Sequence, residues 1–139
     1  MSEFIVDASV AAKWFFHEPH AENALELLAE TSDLIAPDLL RVEFANIVWN
    51  RSKRNQVSPD QVDSLLADFL GLPIQFIAST TLVAPALSLA VELRQTVYDC
   101  LYLATAIERG CELITGDERF LRALPAPLKG HARWIGTYR

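Results

Sequence analysis

Cysteine and histidine are scarce in this sequence, which has 2 Cys and 3 His among 139 residues. Two cysteines are too few for a disulfide framework, and neither belongs to a C-x2-C pair of the kind that binds zinc. Cys100 and Cys111 lie in apolar runs and are predicted to be buried residues of a protein in a reducing cytoplasm. His17 and His20 flank Glu18-Pro19 without a third metal ligand nearby, so we interpret them as loop residues.

Basic residues are also fewer than acidic residues. The chain has 12 Lys and Arg against 18 Asp and Glu, which gives a formal net charge of −6. Proteins that hold nucleic acid by bulk charge are usually basic. The composition therefore argues against a simple electrostatic nucleic-acid binder. It leaves open an enzyme that acts on nucleic acid through a concentrated acidic site.

Signals for secretion or membrane insertion are absent from the sequence. The N-terminus has neither a basic region nor a long apolar run, so no signal peptide is predicted. The longest uncharged stretch, residues 69–91, is long enough to span a bilayer, but two prolines, a glycine and several hydroxyl residues interrupt it. We interpret it as a loop, a strand and the start of a helix. The length and the 51% hydrophobic content predict a single globular domain over residues 1–139.

Short apolar runs alternate with helical patterns along the chain. Strands are predicted at residues 4–6, 34–37, 74–78, 112–115 and 132–135. Helices are predicted at residues 9–16, 20–30, 38–55, 59–70, 82–95, 98–109 and 118–124. Asp38 is expected to cap the third helix, Pro85 to confine the regular part of the fifth to the residues after this proline, and Gly110 to end the sixth. Short buried strands separated by helices are typical of a three-layer α/β domain with a mainly parallel sheet.

Four carboxylates occupy unusual positions in this pattern. Asp7 and Asp117 each follow a buried strand, and the carboxyl ends of parallel strands meet in one crevice. Glu43 lies in the apolar stripe of its helix, where an unpaired charge costs several kcal/mol and needs a partner, a proton or a cation. Asp99 stands near a helix start among apolar neighbours, which predicts partial burial.

Two interpretations of these acids remain open from the residues alone. Asp7, Asp99 and Asp117 would each serve as helix caps, and Glu43 would pair with Arg41 or a distant arginine. Taken together, however, the four acids form an oxygen-only donor set that suits hard cations such as Mg2+ or Mn2+. Two such ions about 4 Å apart can activate water and stabilise the leaving oxygen of a phosphodiester.

Four segments resemble, in order and spacing, those of PIN-domain ribonucleases, and specifically the VapC-type toxins of type II toxin–antitoxin pairs. These segments are FIVDAS at residues 4–9, LRVEFAN at 40–46, TVYDCLYLA at 96–104 and LITGD at 113–117. Each motif is weak by itself, whereas all four in order within one short chain form a strong signal. One departure is Gly116, where alanine is commoner in that family.

The resemblance implies a sheet of four or five mainly parallel strands with helices on both faces, and a metal-dependent endoribonuclease. It implies that Asp7 and Asp99 are the firmest ligands of Mg2+, for which Mn2+ would substitute, and that Glu43 and Asp117 complete the site, partly through water. Ser9 and Thr115 match the hydroxyl positions that support such a site. The expected partners are RNA, a VapB-type antitoxin and a second copy of the chain, with no membrane.

Cations at the end of the third predicted helix are candidates for RNA contact. Arg51, Lys53 and Arg54 would meet RNA phosphates, or would instead interact with the dipole of their own helix. Weaker candidates of the same kind are Lys13, Arg94, Arg119 and Arg122.

Two other functions compete with the nuclease. A phosphatase or a receiver domain also places an aspartate after the first strand, but Asp7-Ala-Ser9 lacks the second aspartate of a D-x-D phosphatase. A receiver needs a lysine near the end of a late strand, where this chain has Asp117. The second rival is a non-catalytic binding module of the same fold whose carboxylates are only caps.

Overall fold

The described residues of the structure, a computed structural model, are 2–30 and 33–138. Among them, five strands form one sheet in the order β3-β2-β1-β4-β5, and all its neighbouring strands are parallel. The strands are β1 Glu3–Val6, β2 Asp33–Pro37, β3 Ile74–Ile77, β4 Glu112–Thr115 and β5 Ala132–Trp134. Because helices cover both faces, the middle strands carry continuous apolar runs rather than alternating patterns, and Ile5, Ile35 and Ile114 are fully buried.

Seven α-helices surround this sheet in the described part of the chain. They are α1 Ala8–Phe15, α2 Ala21–Ala29, α3 Leu39–Lys53, α4 Pro59–Leu70, α5 Val83–Leu93, α6 Val97–Arg109 and α7 Glu118–Ala123. Helix α6 packs on β1, β2 and β4 and is covered by α5, whereas α1 and α3 pack on each other and on β4 and β2. The predicted three-layer α/β fold is confirmed, with five strands.

Two local predictions about helix starts are wrong. Helix α5 begins at Val83, so Pro85 lies inside its first turn, where the missing N–H would have no partner within the helix. Asp38 does not cap α3 with its side chain. Its Oδ1 accepts hydrogen bonds from the Ser79 backbone N–H and hydroxyl at 3.0 and 2.5 Å, and the Ser79 hydroxyl accepts from the backbone N–H of Leu39 at 3.1 Å.

An aromatic cluster fixes α3 against its neighbours. The rings of Phe44 and Phe69 stack at 4.2 Å, and the Phe15 ring meets Phe44 edge to face at 5.2 Å. These three side chains join α1, α3 and α4. Since Glu43 precedes Phe44 and Asp7 precedes α1, the cluster also sets how the two acids lie relative to each other.

The uncharged stretch 69–91 folds as predicted. It contains the end of α4, strand β3, a 3-10 turn at Ser79–Leu82 and most of α5. In the part of the chain that the structure describes, no helix has the length and apolar character that crossing a bilayer demands.

Candidate functional site

The crevice of this sheet lies where β1 and β4 run side by side. From β1 the strand order continues to β2 and β3 on one side, and from β4 to β5 on the other. Ligands of open parallel sheets bind at such a reversal, outside the carboxyl ends of the strands. Asp7 follows β1 directly, and Asp117 follows β4 after Gly116. The sequence-based expectation that these two aspartates are neighbours is therefore confirmed by the topology.

Hydroxyl groups hold the carboxylate of Asp7. The hydroxyl of Ser9 donates to Oδ1 at 2.5 Å, and that of Thr115 donates to Oδ2 at 2.5 Å. The Ser9 oxygen also accepts from the backbone N–H of Gly116 at 2.7 Å, and the Thr115 oxygen accepts from that of Asp117 at 3.1 Å. Ser9 and Thr115 thus brace Asp7 and tie the end of β1 to the end of β4.

Glu43 finds its partner on another helix. The hydroxyl of Tyr102, a side chain that is only 2% exposed, donates to Oε1 of Glu43. The alternative of a pair with Arg41 is wrong, because that guanidinium lies over the ring of Phe76 at 4.0 Å. Tyr102 was missed by the sequence interpretation. The available signal was its position three residues after Asp99, on the same face of α6.

The cap hypothesis holds for two of the three aspartates. Oδ1 of Asp7 accepts from the backbone N–H of Val10 at 3.2 Å, and Oδ1 of Asp117 accepts from that of Phe120 at 3.1 Å. Asp99 is not the cap of α6. Thr96 caps that helix by accepting from the backbone N–H of Asp99 at 3.1 Å. Capping therefore explains neither Asp99 nor Glu43.

Electrostatic effects couple the four acids. Burial raises the pKa of Asp7, opposed by its hydrogen bonds with Ser9, Thr115 and Val10, and the charge of Asp99 raises it further. Burial also raises the pKa of Glu43, opposed by the Tyr102 hydrogen bond and reinforced by Asp7 and Asp99.

Asp99 completes this coupling. Burial raises its pKa, a hydrogen bond with Thr96 lowers it, and the charge of Asp117 raises it. A bound cation would relieve the repulsion among ionised carboxylates at this edge of the sheet.

The donor set suits a hard cation, since it consists of carboxylates with hydroxyl groups around them and contains neither histidine nor thiolate. Within the described residues, however, no three Asp, Glu, His or Cys side chains stand close enough together to hold one ion. Asp7, Glu43 and Asp117 instead accept hydrogen bonds from their own neighbours. A cation shared by these residues would therefore have to compete with, or bind alongside, these hydrogen bonds.

Two clefts flank the acids. One, of about 490 Å³, is lined by Ser9 together with Lys13, Glu18, Arg51 and Arg54. The other, of about 370 Å³, is lined by Ala8, Glu43, Asn46 and Tyr98, among others.

The structure separates the three cations that were predicted to contact RNA. Arg51 and Arg54 line the larger cleft, and Arg51 lies 2.5 Å from the carboxylate of Glu18. Lys53 lies elsewhere, with its ammonium group 4.5 Å from the centroid of the Trp49 ring.

The structure confirms the predicted burial of Cys100, whereas Cys111 is less buried than predicted. Both are unpaired, Cys100 is fully buried, and burial raises the pKa of its thiol to about 11. Cys111 is partly buried and packs against the core.

Comparisons with known proteins agree with this architecture. A family model described as PIN domain matches residues 4–124. The sequence is 29% identical over 128 residues to Ribonuclease VapC3 of Pyrobaculum aerophilum, an alignment that covers 89% of this chain and 96% of that protein.

Solved structures share the fold at lower identity. VapC20 of Mycobacterium tuberculosis, described as a sarcin-ricin loop cleaving toxin, superposes with a TM-score of 0.68 at 16% identity, covering 86% of this chain and 94% of that one. A toxin–antitoxin complex from Klebsiella pneumoniae superposes with a TM-score of 0.56 at 19% identity, covering 90% and 93%. At these identities the likeness concerns the fold alone.

Proposed function

This chain belongs to the PIN domain family, and on that premise we propose that it is a metal-dependent endoribonuclease acting as the toxin of a toxin–antitoxin pair. One observation carries the proposal: Asp7 and Asp117 follow the two strands at the strand-order reversal of a parallel sheet, and two carboxylates without a capping role, Glu43 and Asp99, are electrostatically coupled to Asp7. The match to a ribonuclease over 96% of its length supports the choice of reaction.

The proposed ligands of Mg2+, or of Mn2+ in its place, are Asp7 and Asp99, with Glu43 and Asp117 completing the set. Such an ion supplies an activated water and stabilises the oxygen that leaves the phosphodiester. The protein's contribution is to orient these acids. Ser9 and Thr115 hold both oxygens of Asp7.

The second carboxylate, Glu43, depends on Tyr102 for its orientation. Burial and the nearby carboxylate of Glu43 raise the pKa of Tyr102, so this side chain remains a hydrogen-bond donor at neutral pH. A neutral donor leaves the charge of Glu43 intact for a cation.

The phosphoryl-transfer alternative fits the geometry less well. A D-x-D phosphatase needs a second aspartate where this chain has Ser9, whose hydroxyl donates to Asp7, and a receiver needs a lysine where this chain has Asp117. Incubation with acetyl phosphate followed by mass spectrometry tests this point. We expect an unmodified chain, and an adduct on Asp7 would favour the rival.

The purified chain should cleave RNA in the presence of Mg2+ or Mn2+ and should stop when EDTA is added. Carboxylate ligation favours hard ions, and no histidine lies in the acidic cluster to replace the metal in activating water. Cleavage that continues undiminished in excess EDTA would refute the metal-dependent mechanism.

The toxin assignment is tested separately. We propose a VapB-type antitoxin as partner and a cytoplasmic location, so expression of the chain should arrest growth and co-expression of the antitoxin should relieve the arrest. If the chain is folded and abundant in cells but does not slow their growth, the toxin assignment is overturned, whereas the proposed nuclease activity is unaffected.

We also propose a homodimer. Helix α5 carries an exposed apolar stripe of Val83, Leu87 and Val91, which are 47%, 52% and 73% exposed and repeat every four residues. Light scattering on the isolated chain should give twice the mass of 15.5 kDa, and a monomer at micromolar concentration would contradict this part.

A further inference from the structure

The larger cleft beside the acidic site has the opposite charge. Three cationic side chains, Lys13, Arg51 and Arg54, share its lining with one carboxylate, that of Glu18. The cleft is thus positive by two charges in a chain whose net charge is −6. A local excess of this sign, in an otherwise acidic protein, identifies an anion as the complementary ligand.

The cleft adjoins the acidic site through Ser9. Ser9 lines it and also donates to Asp7, and Lys13 follows Ser9 by one turn of α1. The side chain of Lys13 runs along Gly116, since a Cβ atom at Gly116 would lie 3.2 Å from Cε of Lys13 and 3.1 Å from Oγ of Ser9. An RNA chain with one phosphodiester at the acids would therefore place a neighbouring phosphate near these cations.

Glu18 occupies the position at which such an anion would bind. Its Oε2 lies 2.5 Å from the Arg51 guanidinium and its Oε1 lies 3.5 Å from the Lys13 ammonium. The guanidinium also lies over the ring of Phe16 at 4.0 Å, which fixes its plane. Arg54 is exposed and takes part in no ion pair among the residues that the structure describes.

We propose that this cleft binds a backbone phosphate of the RNA next to the scissile bond, and that Glu18 competes with that phosphate for Lys13 and Arg51. The inference rests on the proposed function and assigns its substrate subsite. Guanidinium groups bind phosphate oxygens through paired charge-assisted hydrogen bonds, and Arg54 adds a third cation without losing a partner. Glu18 lies in the connection between α1 and α2, outside either helix.

The test measures RNA binding without cleavage. Each variant is made in an Asp99→Asn background, kept in EDTA, and titrated against a labelled single-stranded RNA of mixed sequence over a range of salt concentrations. Arg51→Gln and Arg54→Gln should each raise Kd about fivefold near ~0.1 M salt and reduce the salt dependence by about one phosphate contact.

Arg109→Gln is the matched control. Arg109 is also paired with a single glutamate, Glu3, at 3.1 Å, and its side chain is 31% exposed against 27% for Arg51. It lies at the end of α6, beside the amino end of β1 and away from the cleft. Equal Kd values for Arg109→Gln and Arg54→Gln would overturn the subsite. Among the described residues Arg54 forms no ion pair, so Arg54→Gln should leave the stability of the fold unchanged.

Glu18→Gln tests the competition. It should lower Kd several-fold and steepen the salt dependence, because Lys13 and Arg51 are released for phosphate. An unchanged or higher Kd in a variant that circular dichroism shows to be folded would overturn the role of Glu18.

Failure of the subsite and failure of the nuclease give different results. If the wild-type chain cleaves RNA with Mg2+ but the arginine variants bind as tightly as the Arg109→Gln control, only the subsite is refuted. If the arginine variants lose affinity for RNA while the wild-type chain cleaves no RNA, RNA binding in the cleft is supported and the nuclease function is refuted.

Discussion

Glu43 shows at the scale of one residue how a charge is kept inside an apolar stripe. Its side chain is partly buried on a helix whose residues Leu40 and Phe44 are fully buried, and its carboxylate accepts from the Tyr102 hydroxyl on another helix. Asp7 and Asp99 raise its pKa in addition to burial. Without the Tyr102 hydroxyl, the Glu43 carboxylate would still be partly buried but would lose its hydrogen-bond donor.

Tyr102→Phe should therefore destabilise the protein by about 1–3 kcal/mol, the usual cost of leaving a buried polar group unpaired. It should also weaken Mn2+ binding in calorimetry, because Glu43 loses its orientation. Tyr98→Phe is the control, since Tyr98 lies on the same helix and is 62% exposed. Unchanged Mn2+ affinity in Tyr102→Phe, or an equal loss when Glu43 is already Gln, would refute the role given to the hydroxyl.

Asp99→Asn should raise the melting temperature of the metal-free protein. Burial and the charge of Asp117 oppose ionisation of Asp99 and outweigh its hydrogen bond with Thr96, which supplies the helix cap. Asp99 is partly exposed, so removing its charge should stabilise by about 1 kcal/mol rather than the larger value of a dry interior.

Thermal melts with and without Mg2+ check this expectation. The substituted protein should also gain less from Mg2+, because a ligand stabilises according to its affinity for the folded state. Equal shifts by Mg2+ in both proteins would remove Asp99 from the site.

At the scale of secondary-structure elements, local patterns predicted nearly every strand and helix, because short apolar runs and helix breakers act within a few residues. Contacts between residues far apart in the sequence could not be predicted in this way. Ser79, which bonds to the start of α3, is 41 residues from Asp38 in the sequence, and Tyr102 is 59 residues from Glu43. Such pairs depend on how helices pack, so Asp38 was assigned a capping bond that it does not make.

Ser79→Ala should destabilise the protein by about 1–2 kcal/mol, because the first N–H of α3 and the carboxylate of Asp38 both lose the hydroxyl. Ser64→Ala is the control, since its hydroxyl donates to a backbone carbonyl of α4 in an exposed position. Urea titrations of both variants measure the difference. A loss for Ser79→Ala no greater than that for Ser64→Ala would contradict the tertiary cap.

At the scale of the whole molecule, parallel topology made the position of the acidic site predictable. Asp7 and Asp117 had to meet because both follow strands that run in the same direction through the middle of the sheet. The pairing of Glu18 with Arg51 was not predictable, because a loop outside any periodic element supplies the carboxylate.

The metal-free protein should become less stable as pH rises from about 4 toward neutrality. The pKa values of Asp7, Glu43 and Asp99 lie above their ordinary values of 3.8, 4.5 and 3.8. Between the ordinary and the raised values the folded state binds more protons than the unfolded state, so the free energy of unfolding falls with rising pH. Asp38, whose pKa is lowered, titrates below this window.

Melting temperatures from about pH 4 to pH 8 measure this trend. Saturating Mg2+ should flatten or reverse it, because a cation binds the ionised carboxylates. A metal-free stability that increases steadily over the same range would show that the acids are not buried against one another.

The most direct test of the central claim is the single-turnover rate of RNA cleavage by the wild-type and Asp99→Asn proteins at saturating Mg2+. Asp99 has no capping role, so α6 keeps its Thr96 cap when the carboxylate is removed. We predict that the rate falls about a hundredfold or more in the variant, as expected for the loss of one major electrostatic contribution to the transition state, and that EDTA abolishes wild-type cleavage. An Asp99→Asn protein that cleaves RNA at the wild-type rate would contradict a metal-dependent nuclease built on these four carboxylates.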